Sequence, residues 1–328
     1  MMKAIQFTQY GGPDVLQVID IARPVPKKKD VLIKVAAIGV NYADAARREG
    51  AYVVETPLPF IPGSEVAGEV VEVGEDVKGI KVGTKVVTLL GSNRATGYAE
   101  YTLADSRGLI PLPDDVDLTQ AVALPLQGLT AYHILKTMGR LEKGETVIVH
   151  AAAGGVGTLA VQLAKIFGAG KVIATASSKE KLELAKNLGA DEAINYTETG
   201  WEKQILEITE GKGADIILEM VGGHIFYESL QCLAPFGRLV FYGMASGKPV
   251  KFNPARLMEK NQSVLGFFLP QMMAKPTLYQ QSLHELLNYV NAGQLKLMLG
   301  GTFSLDKAAD VHRLLQGRKT IGKLVLVP

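Results

Sequence analysis

An α/β fold, in which a doubly wound parallel sheet is inserted into a β-rich domain, is predicted by three features of this 328-residue chain. Residues 1 to about 123 carry short strand patterns broken by turns, whereas from about residue 126 strands alternate with amphipathic helices, the rhythm of βαβ units. One strand-to-helix junction carries His150-Ala151-Ala152-Ala153-Gly154-Gly155-Val156-Gly157, whose small residues let backbone amides approach a phosphate. β character returns at 323–327, so the chain is expected to fold back on its first half and leave the parallel sheet as an insert. The expected domains are 1–125 plus 265–328 for the β-rich part and 126–264 for the other.

In the first half, strand patterns fall at 3–7, 15–20, 31–39, 65–73, 85–90 and 99–103, punctuated by Gly11-Gly12-Pro13, Pro24-Val25-Pro26 and Val82-Gly83-Thr84. They imply a twisted, mostly antiparallel barrel or sandwich, with helical spacing only at about 42–49 and 117–123. In the second half, strands at 146–150, 171–175, 192–196, 214–219 and 237–242 alternate with helices at 127–138, 156–168, 178–188, 199–209 and 223–233. An apolar strand at 263–268 finishes the sheet. Gly168 and Gly189 stand where helices end in a left-handed cap. The tail reads as helices at about 277–292 and 305–316, then the strand at 323–327.

Hydrophobic residues make up 47% of the chain and charged residues 21%, as in an ordinary water-soluble globular protein. A net charge of +2 creates no general basic field for nucleic acid, and Lys27-Lys28-Lys29 after Pro-Val-Pro reads as a solvated turn. Cys232 is the single cysteine, which excludes an intrachain disulfide and a cysteine-rich zinc site and fits a reducing compartment. The first residues lack the apolar core of a signal peptide, so a cytoplasmic location is expected. Residues 146–164 are free of Asp, Glu, Lys and Arg, but a glycine–alanine turn in their middle suits strand, turn and helix better than a membrane span. No membrane partner is expected.

The glycine turn is a Rossmann-type dinucleotide fingerprint in which Ala152 holds the first position, Gly154 admits the pyrophosphate and Gly157 lets the helix pack on the strand. An NAD-preferring site puts Asp or Glu at the end of the next strand. This chain has Ser177, Ser178, Lys179 and Lys181 there, whose hydroxyls and ammonium groups suit a 2′-phosphate, so NADPH is favoured over NADH. Ser177 or Ser178 also reads as a helix cap, and Tyr196 either reaches the same phosphate or covers the sheet edge.

Gly11-Gly12-Pro13-Asp14-Val15-Leu16, Gly39-Val40-Asn41-Tyr42-Ala43-Asp44, Arg48-Glu49-Gly50-Ala51-Tyr52, Pro62-Gly63-Ser64-Glu65-Val66-Ala67-Gly68, Gly128-Leu129-Thr130-Ala131, the glycine turn and Gly322-Lys323 occur in this order. With them the chain resembles, over nearly its whole length, the zinc-independent, zeta-crystallin-like quinone oxidoreductases of the medium-chain dehydrogenase/reductase superfamily. The resemblance implies a GroES-like β-rich substrate domain carrying the Rossmann insert. Zinc-containing relatives place a cysteine where Asn41 stands and a histidine where Ser64 stands, so a zinc-free reaction is expected.

The resemblance also implies a site. Asn41 and Thr130 would lie near the nicotinamide end, Gly155 and Val156 on the pyrophosphate, and Ser177, Lys181 and Tyr196 on the adenosine phosphate. Tyr242, Gly243, Met244, Phe267, Phe268, Leu269, Arg318 and Lys323 would close over the cofactor. Asn41 is read as catalytic or as a turn residue, and Tyr52 as a donor to a quinone oxygen or as an ordinary half-buried loop tyrosine. Asp44 is expected to fix local backbone or an arginine, Cys232 to pack in the core, and His150 to hydrogen-bond at a strand end. The implied function is NADPH-dependent reduction of quinones between the two domains. The alternatives are a 2-alkenal or enone reductase with the same cofactor, and a non-catalytic NADPH-binding crystallin-like or RNA-binding protein. A homodimer through the 263–268 edge strand is also implied.

Overall fold

The computed structural model describes residues 1–91 and 96–328. They form two compact units, Met1–Leu126 with Met298–Pro328, and Gln127–Leu297. The first unit opens with β1 (Met2–Gln6), β2 (Gln17–Ile21), β3 (Asp30–Val40), α1 (Tyr42–Arg48), β4 (Glu65–Val73), β5 (Lys85–Leu89), β6 (Tyr101–Asp105), β7 (Leu109–Pro111) and the short α2 (Leu118–Ala121). β3 is its spine, antiparallel to β4 along most of its length and to β6 over its first half. Its Val31, Ile33, Val35 and Ile38 are buried with Ile5, Phe7, Val66, Val70 and Tyr98 in one apolar core. Burying a side chain of this size contributes about 1.5–3 kcal/mol, so this strand anchors the unit.

α3 (Pro125–His133) leads into the second unit and continues as a π-helical turn at Ile134–Met138. There follow β8 (Thr146–Val149), α4 (Gly155–Ile166), β9 (Lys171–Ala176), α5 (Lys179–Asn187), β10 (Glu192–Asn195), α6 (Trp201–Ile208), β11 (Ala214–Glu219), α7 (Gly223–Gln231), β12 (Leu233–Phe241), β13 (Ser263–Gly266), α8 (Leu269–Met273) and α9 (Pro276–Asn291). The strands pair in parallel in the order β10-β9-β8-β11-β12-β13. The chain winds outward from β8 in both directions, so the glycine turn after β8 stands at the topological switch point where such sheets bind ligands. Val147, Ile148 and Val149 are fully buried, as strands covered by helices on both faces require. Gly168 and Gly189 adopt φ of +94° and +109°, the left-handed caps expected from sequence.

The chain returns to the first unit with β14 (Leu299–Ser304), α10 (Ala308–Gln316) and β15 (Lys323–Val327). β15 is antiparallel to β3 and parallel to β14.

The structure corrects the second domain boundary. Residues 265–297, expected with the β-rich part, belong to the parallel-sheet unit. Three contacts within that unit explain it. β13 extends the sheet beside β12, Ser282 of α9 hydrogen-bonds the His133 ring at 3.2 Å, and Glu285 accepts from Tyr132 and Lys136 at 2.6 and 2.8 Å. β7, β14 and α8 were not expected from sequence. The helix expected at 199–209 starts at Trp201 because Gly200, at φ +85°, turns the chain into it. Among the described residues no helix is long and apolar enough to cross a membrane.

Candidate functional site

In the first unit the centre of interest is the turn from β3 into α1. Asn41 occupies the helix N-cap and is 4% exposed. Its Nδ2 donates to Gly39 O at 3.2 Å and Glu65 Oε1 at 2.8 Å, and its Oδ1 accepts from Lys323 Nζ at 2.9 Å. Lys323 also donates to Glu65, whose second oxygen accepts from Leu126 N at 2.8 Å. Gly39 makes this possible, because a Cβ there would lie 2.3 Å from Glu65 Oε1. Asn41, Glu65 and Lys323 thus form a buried, hydrogen-bonded ion pair with an amide between the charges.

Two expectations change as a result. Lys323, expected to close over the cofactor, is 1% exposed with its ammonium committed to Asn41 and Glu65, so it acts as a structural cation of the Asn41 turn. Both Asn41 amide hydrogens already point at protein acceptors, and a hydrogen bond to an acceptor molecule would have to displace one of them. Glu65, which sequence reasoning passed over, is the hub. A carboxylate directly ahead of the small apolar run Val66-Ala67-Gly68 was the available signal.

Asp44 lies three residues into the same turn and is fully buried. Its Oδ2 accepts from Asn41 N at 2.9 Å and its Oδ1 from Gly63 N at 3.2 Å, which bears out the expectation that it fixes local backbone. Burial pushes its carboxyl up to about 6, opposed by the Asn41 and Gly63 amides and by Lys323, while Glu65 adds to the rise. Tyr52 is half-buried, with the Arg47 guanidinium 4.1 Å from its ring centroid and Arg47 Nη1 donating to Thr56 Oγ1 at 3.1 Å. Burial raises the Tyr52 hydroxyl above its ordinary range against the pull of Arg47, so at neutral pH it stays a protonated donor.

The second unit carries the glycine turn. α4 starts at Gly155 after Gly154, whose position offers no side-chain cap, which leaves the positive end of the helix to backbone amides alone. A Cβ on Gly157 would stand 2.3 Å from Ala151 O and 2.7 Å from Ala152 Cα, so only glycine lets the helix seat on the strand end. A Cβ on Gly155 would meet the Gln127 amide at 2.1–2.3 Å, placing Gln127, absent from the sequence expectations, against the turn. Val156 sits half-buried in the first turn of α4, and Thr130 is 6% exposed on α3, the helix that also carries Gln127. A cradle of this shape fits a dinucleotide pyrophosphate.

At the end of β9, Ser177 and Ser178 are half-buried, and Ser178 Oγ caps α5 by accepting from Lys181 N at 3.4 Å. Burial lowers the Lys181 ammonium from its ordinary value. Tyr196 stands edge-on to the His150 ring, with centroids 6.4 Å apart. His150 hydrogen-bonds Thr175 at 2.7 Å and Ser229 at 2.8 Å and is fully buried, and Cys232 is likewise in the core, as expected for both. After β12, Tyr242 and Gly243 are half-buried and Met244 is exposed. Phe267 stacks on His133, Phe268 caps the entry to α8, and Leu269 is buried in its first turn. Arg318 is exposed in a left-handed conformation at φ +55°. Glu219, also missed from sequence, ends β11 and accepts from Gly222 N at 3.2 Å and from Val221 N, fixing the turn beyond the strand.

Three imidazoles are held neutral by burial: His133 is pushed down to about 4, and His150 and His312 to about 3, the last aided by Arg48. Unfolded, each takes a proton below about 6.5, so stability falls as pH drops from there toward 3 to 4. Asp44 works the opposite way: with its pKa raised, it adds stability as pH falls from about 6 toward 3.8. Three groups outweigh one. The urea midpoint is expected to fall steadily below pH 6.5, and a midpoint that rises across this window would contradict the neutral imidazoles.

Comparison with known proteins adds an independent view. Residues 27–114 match the family model for the alcohol dehydrogenase GroES-like domain, and residues 155–288 that for zinc-binding dehydrogenase. The chain is 38% identical to a quinone oxidoreductase from Pseudomonas aeruginosa over 100% of both chains. It is 35% identical to the human quinone oxidoreductase, over 100% of this chain and 98% of that one. Among solved structures, a quinone oxidoreductase from Pseudomonas syringae superposes with a TM-score of 0.94 at 36% identity, over 100% of both chains. An Escherichia coli quinone oxidoreductase complexed with NADPH gives a TM-score of 0.94 at 32% identity, over 99% of this chain and 100% of that one.

Proposed function

We propose that this chain, which belongs to the zeta-crystallin-like quinone oxidoreductases of the medium-chain dehydrogenase/reductase superfamily, is an NADPH-dependent quinone reductase that works without zinc. The observation that carries the reading is the glycine cradle at the switch point, followed at the next strand end by Ser177 and Ser178 where an NAD-preferring site puts a carboxylate, with Lys181 in the first turn of α5. The NADPH-bound Escherichia coli relative supports the cofactor. The Gly154, Gly155, Val156 and Gly157 backbone would hold the pyrophosphate, and Ser177 and Lys181 the 2′-phosphate, with Thr130 and Gln127 on the helix beside the turn. Bound NADPH supplies the reducing equivalents.

On this reading the protein's own part in the reaction is placement and hydrogen bonding. Tyr52, kept protonated by burial, donates to an acceptor oxygen as negative charge develops on it. The Asn41 turn, stiffened by the Lys323–Glu65 pair, supplies a fixed wall against which the acceptor is oriented. Among the described residues no cluster of three metal-ligating side chains is present, and a lysine ammonium stands beside Asn41. Turnover of a naphthoquinone well above that of a 2-alkenal, with NADPH as donor, tests the assignment; the reverse preference makes the chain an alkene reductase, and NADPH binding without turnover of either makes it a binding protein.

The cofactor preference has its own test. Replacing Ser177 and Lys181 together with alanine is expected to weaken NADPH binding by about 10–100-fold through lost charge-assisted hydrogen bonds. NADH binding should hardly change. A fluorescence titration that shows both cofactors equally affected would remove the 2′-phosphate role. We further propose a cytoplasmic homodimer joined through β13, an edge strand that leaves one side of the sheet unpaired. Light scattering that gives only the monomer mass argues against it.

A further inference from the structure

The mechanism above leaves unused a line of polar side chains buried in the first unit. Arg48 Nη1 contacts His312 Nδ1 at 3.3 Å, His312 Nε2 contacts the Tyr98 hydroxyl at 3.0 Å, and the Tyr98 hydroxyl lies 3.5 Å from Asp44 Oδ2. All four side chains are at most 1% exposed. Arg48 is itself held by Gly11 O, Glu49 and Gln316, so the line runs from α10 and the α1 end toward the Asn41 turn.

The direction of these hydrogen bonds follows from chemistry. A guanidinium only donates, so His312 Nδ1 must accept and the ring proton must sit on Nε2. Nε2–H then donates to the Tyr98 oxygen. The Tyr98 hydrogen is left to point at Asp44 Oδ2. Burial keeps His312 neutral, as this tautomer requires. Asp44 therefore receives donors from three sides, Asn41 N, Gly63 N and Tyr98. Three donors favour the carboxylate.

We propose that Asp44 is a positioning residue for the reaction at Asn41: its carboxylate ties the Asn41 turn to the Gly63 turn, and the Arg48–His312–Tyr98 line from α10 holds it in the form that can do so. Gly63 has φ +101° and would clash with Tyr98 if it carried a Cβ, so the two turns meet with no room for a substitute contact. When Asp44 takes a proton, one of the three donors loses its partner and the Asn41 turn loosens. The other charged and titratable groups that bear on Asp44 are Lys323, which favours the anion, and Glu65, which opposes it; Asp44 in turn raises Tyr52 and Tyr98. Burial brings the changeover to about pH 6, within reach of an activity profile.

This inference rests on the quinone reductase reading for its activity readout, so a second readout accompanies it. The first is kcat/KM for a naphthoquinone against pH, with saturating NADPH, in the unaltered protein, Tyr98→Phe and Asp44→Asn. The unaltered protein is expected to lose activity below about pH 6 with the slope of a single proton. Tyr98→Phe keeps the ring against His312 but removes the donor, and should move that limb up by about half a pH unit, the worth of one weak hydrogen bond. Asp44→Asn should flatten the limb and lower kcat about tenfold at pH 8 while leaving KM for NADPH within about twofold. The second readout is the Asp44 carboxyl resonance, followed by carbon NMR in the unaltered protein and in Tyr98→Phe. An unshifted titration in Tyr98→Phe, or an acid limb that persists in Asp44→Asn, overturns the proposal. If no quinone is reduced at all, the proposed function fails, and the carboxyl titration still decides the role of the donor line.

Discussion

Glu65→Ala is expected to destabilise the protein by about 3–5 kcal/mol, the cost of stranding a buried charge. The substitution leaves the Lys323 ammonium, 1% exposed, without its carboxylate. It also strips acceptors from Asn41 Nδ2 and Leu126 N. Lys323→Met should cost a similar amount by stranding Glu65. Combining Glu65→Gln with Lys323→Met removes both charges and should recover a large part of either loss, since apolar and neutral replacements of buried pairs are tolerated far better than half a pair. Urea denaturation of the variants measures all of this. A Glu65→Ala variant within about 1 kcal/mol of the parent would mean that the pair is solvated in solution.

The next largest effect should come from the glycine turn, where Gly157→Val is expected to weaken cofactor binding strongly. Its Cβ would stand 2.3 Å from Ala151 O and 2.7 Å from Ala152 Cα, and both are backbone atoms. The helix must lift off the strand end, at about 2 kcal/mol or more, and NADPH binding weakens by at least about 30-fold. Gly154→Ala separates the two causes. Gly154 has φ −77°, and a Cβ there comes no nearer than 3.2 Å to Ala151 O, so the fold should tolerate it. Loss of NADPH affinity with an unchanged melting temperature in Gly154→Ala would mark the space above Gly154 as the pyrophosphate's. Calorimetric titration reads the affinity, and unweakened binding in both variants would move the cofactor elsewhere.

These contrasts show what was legible in the sequence. The glycine turn was, because strand, turn and helix lie within about twenty consecutive residues and their chemistry is local. The return of β15 to the first half was visible from its apolar run, and the register against β3 bears it out. β14 was hidden because Leu299-Gly300-Gly301-Thr302-Phe303-Ser304 has little strand propensity and forms only as a partner to β15, with a bulge between Leu299 and Gly301. β7 has three residues, too short for any alternation to register. The domain boundary was missed for a similar reason, since 265–297 is held to its sheet by His133, Tyr132 and Lys136, more than a hundred residues upstream.

At the site the division is sharper. The serine–lysine edge was named from its local run, and Asn41 and Tyr52 through the resemblance that their local runs carry. Glu65 as a hub and Lys323 as its counter-charge were not, because the contacts that define them span 258 and 282 residues. The contact between His312 and Tyr98 is invisible in the sequence for the same reason, the two lying 214 positions apart. A buried polar group declares its role through its partner, and one-dimensional spacing cannot name a partner at that range.

The return of β15 has a consequence for biosynthesis. When the ribosome has delivered residues 1–126, β3 has β4 along one edge and β6 along the first part of the other, but the strand that pairs with its end at Ile38–Val40 is not yet made. Glu65 is then a carboxylate without its counter-ion, and it stays so while the whole parallel-sheet unit emerges and folds. The nascent first unit therefore lacks this ion pair until residue 323 is made. Closure of the Asn41 turn becomes the last act of synthesis, and a chain arrested before β15 would carry a finished cofactor cradle but no assembled Asn41 turn.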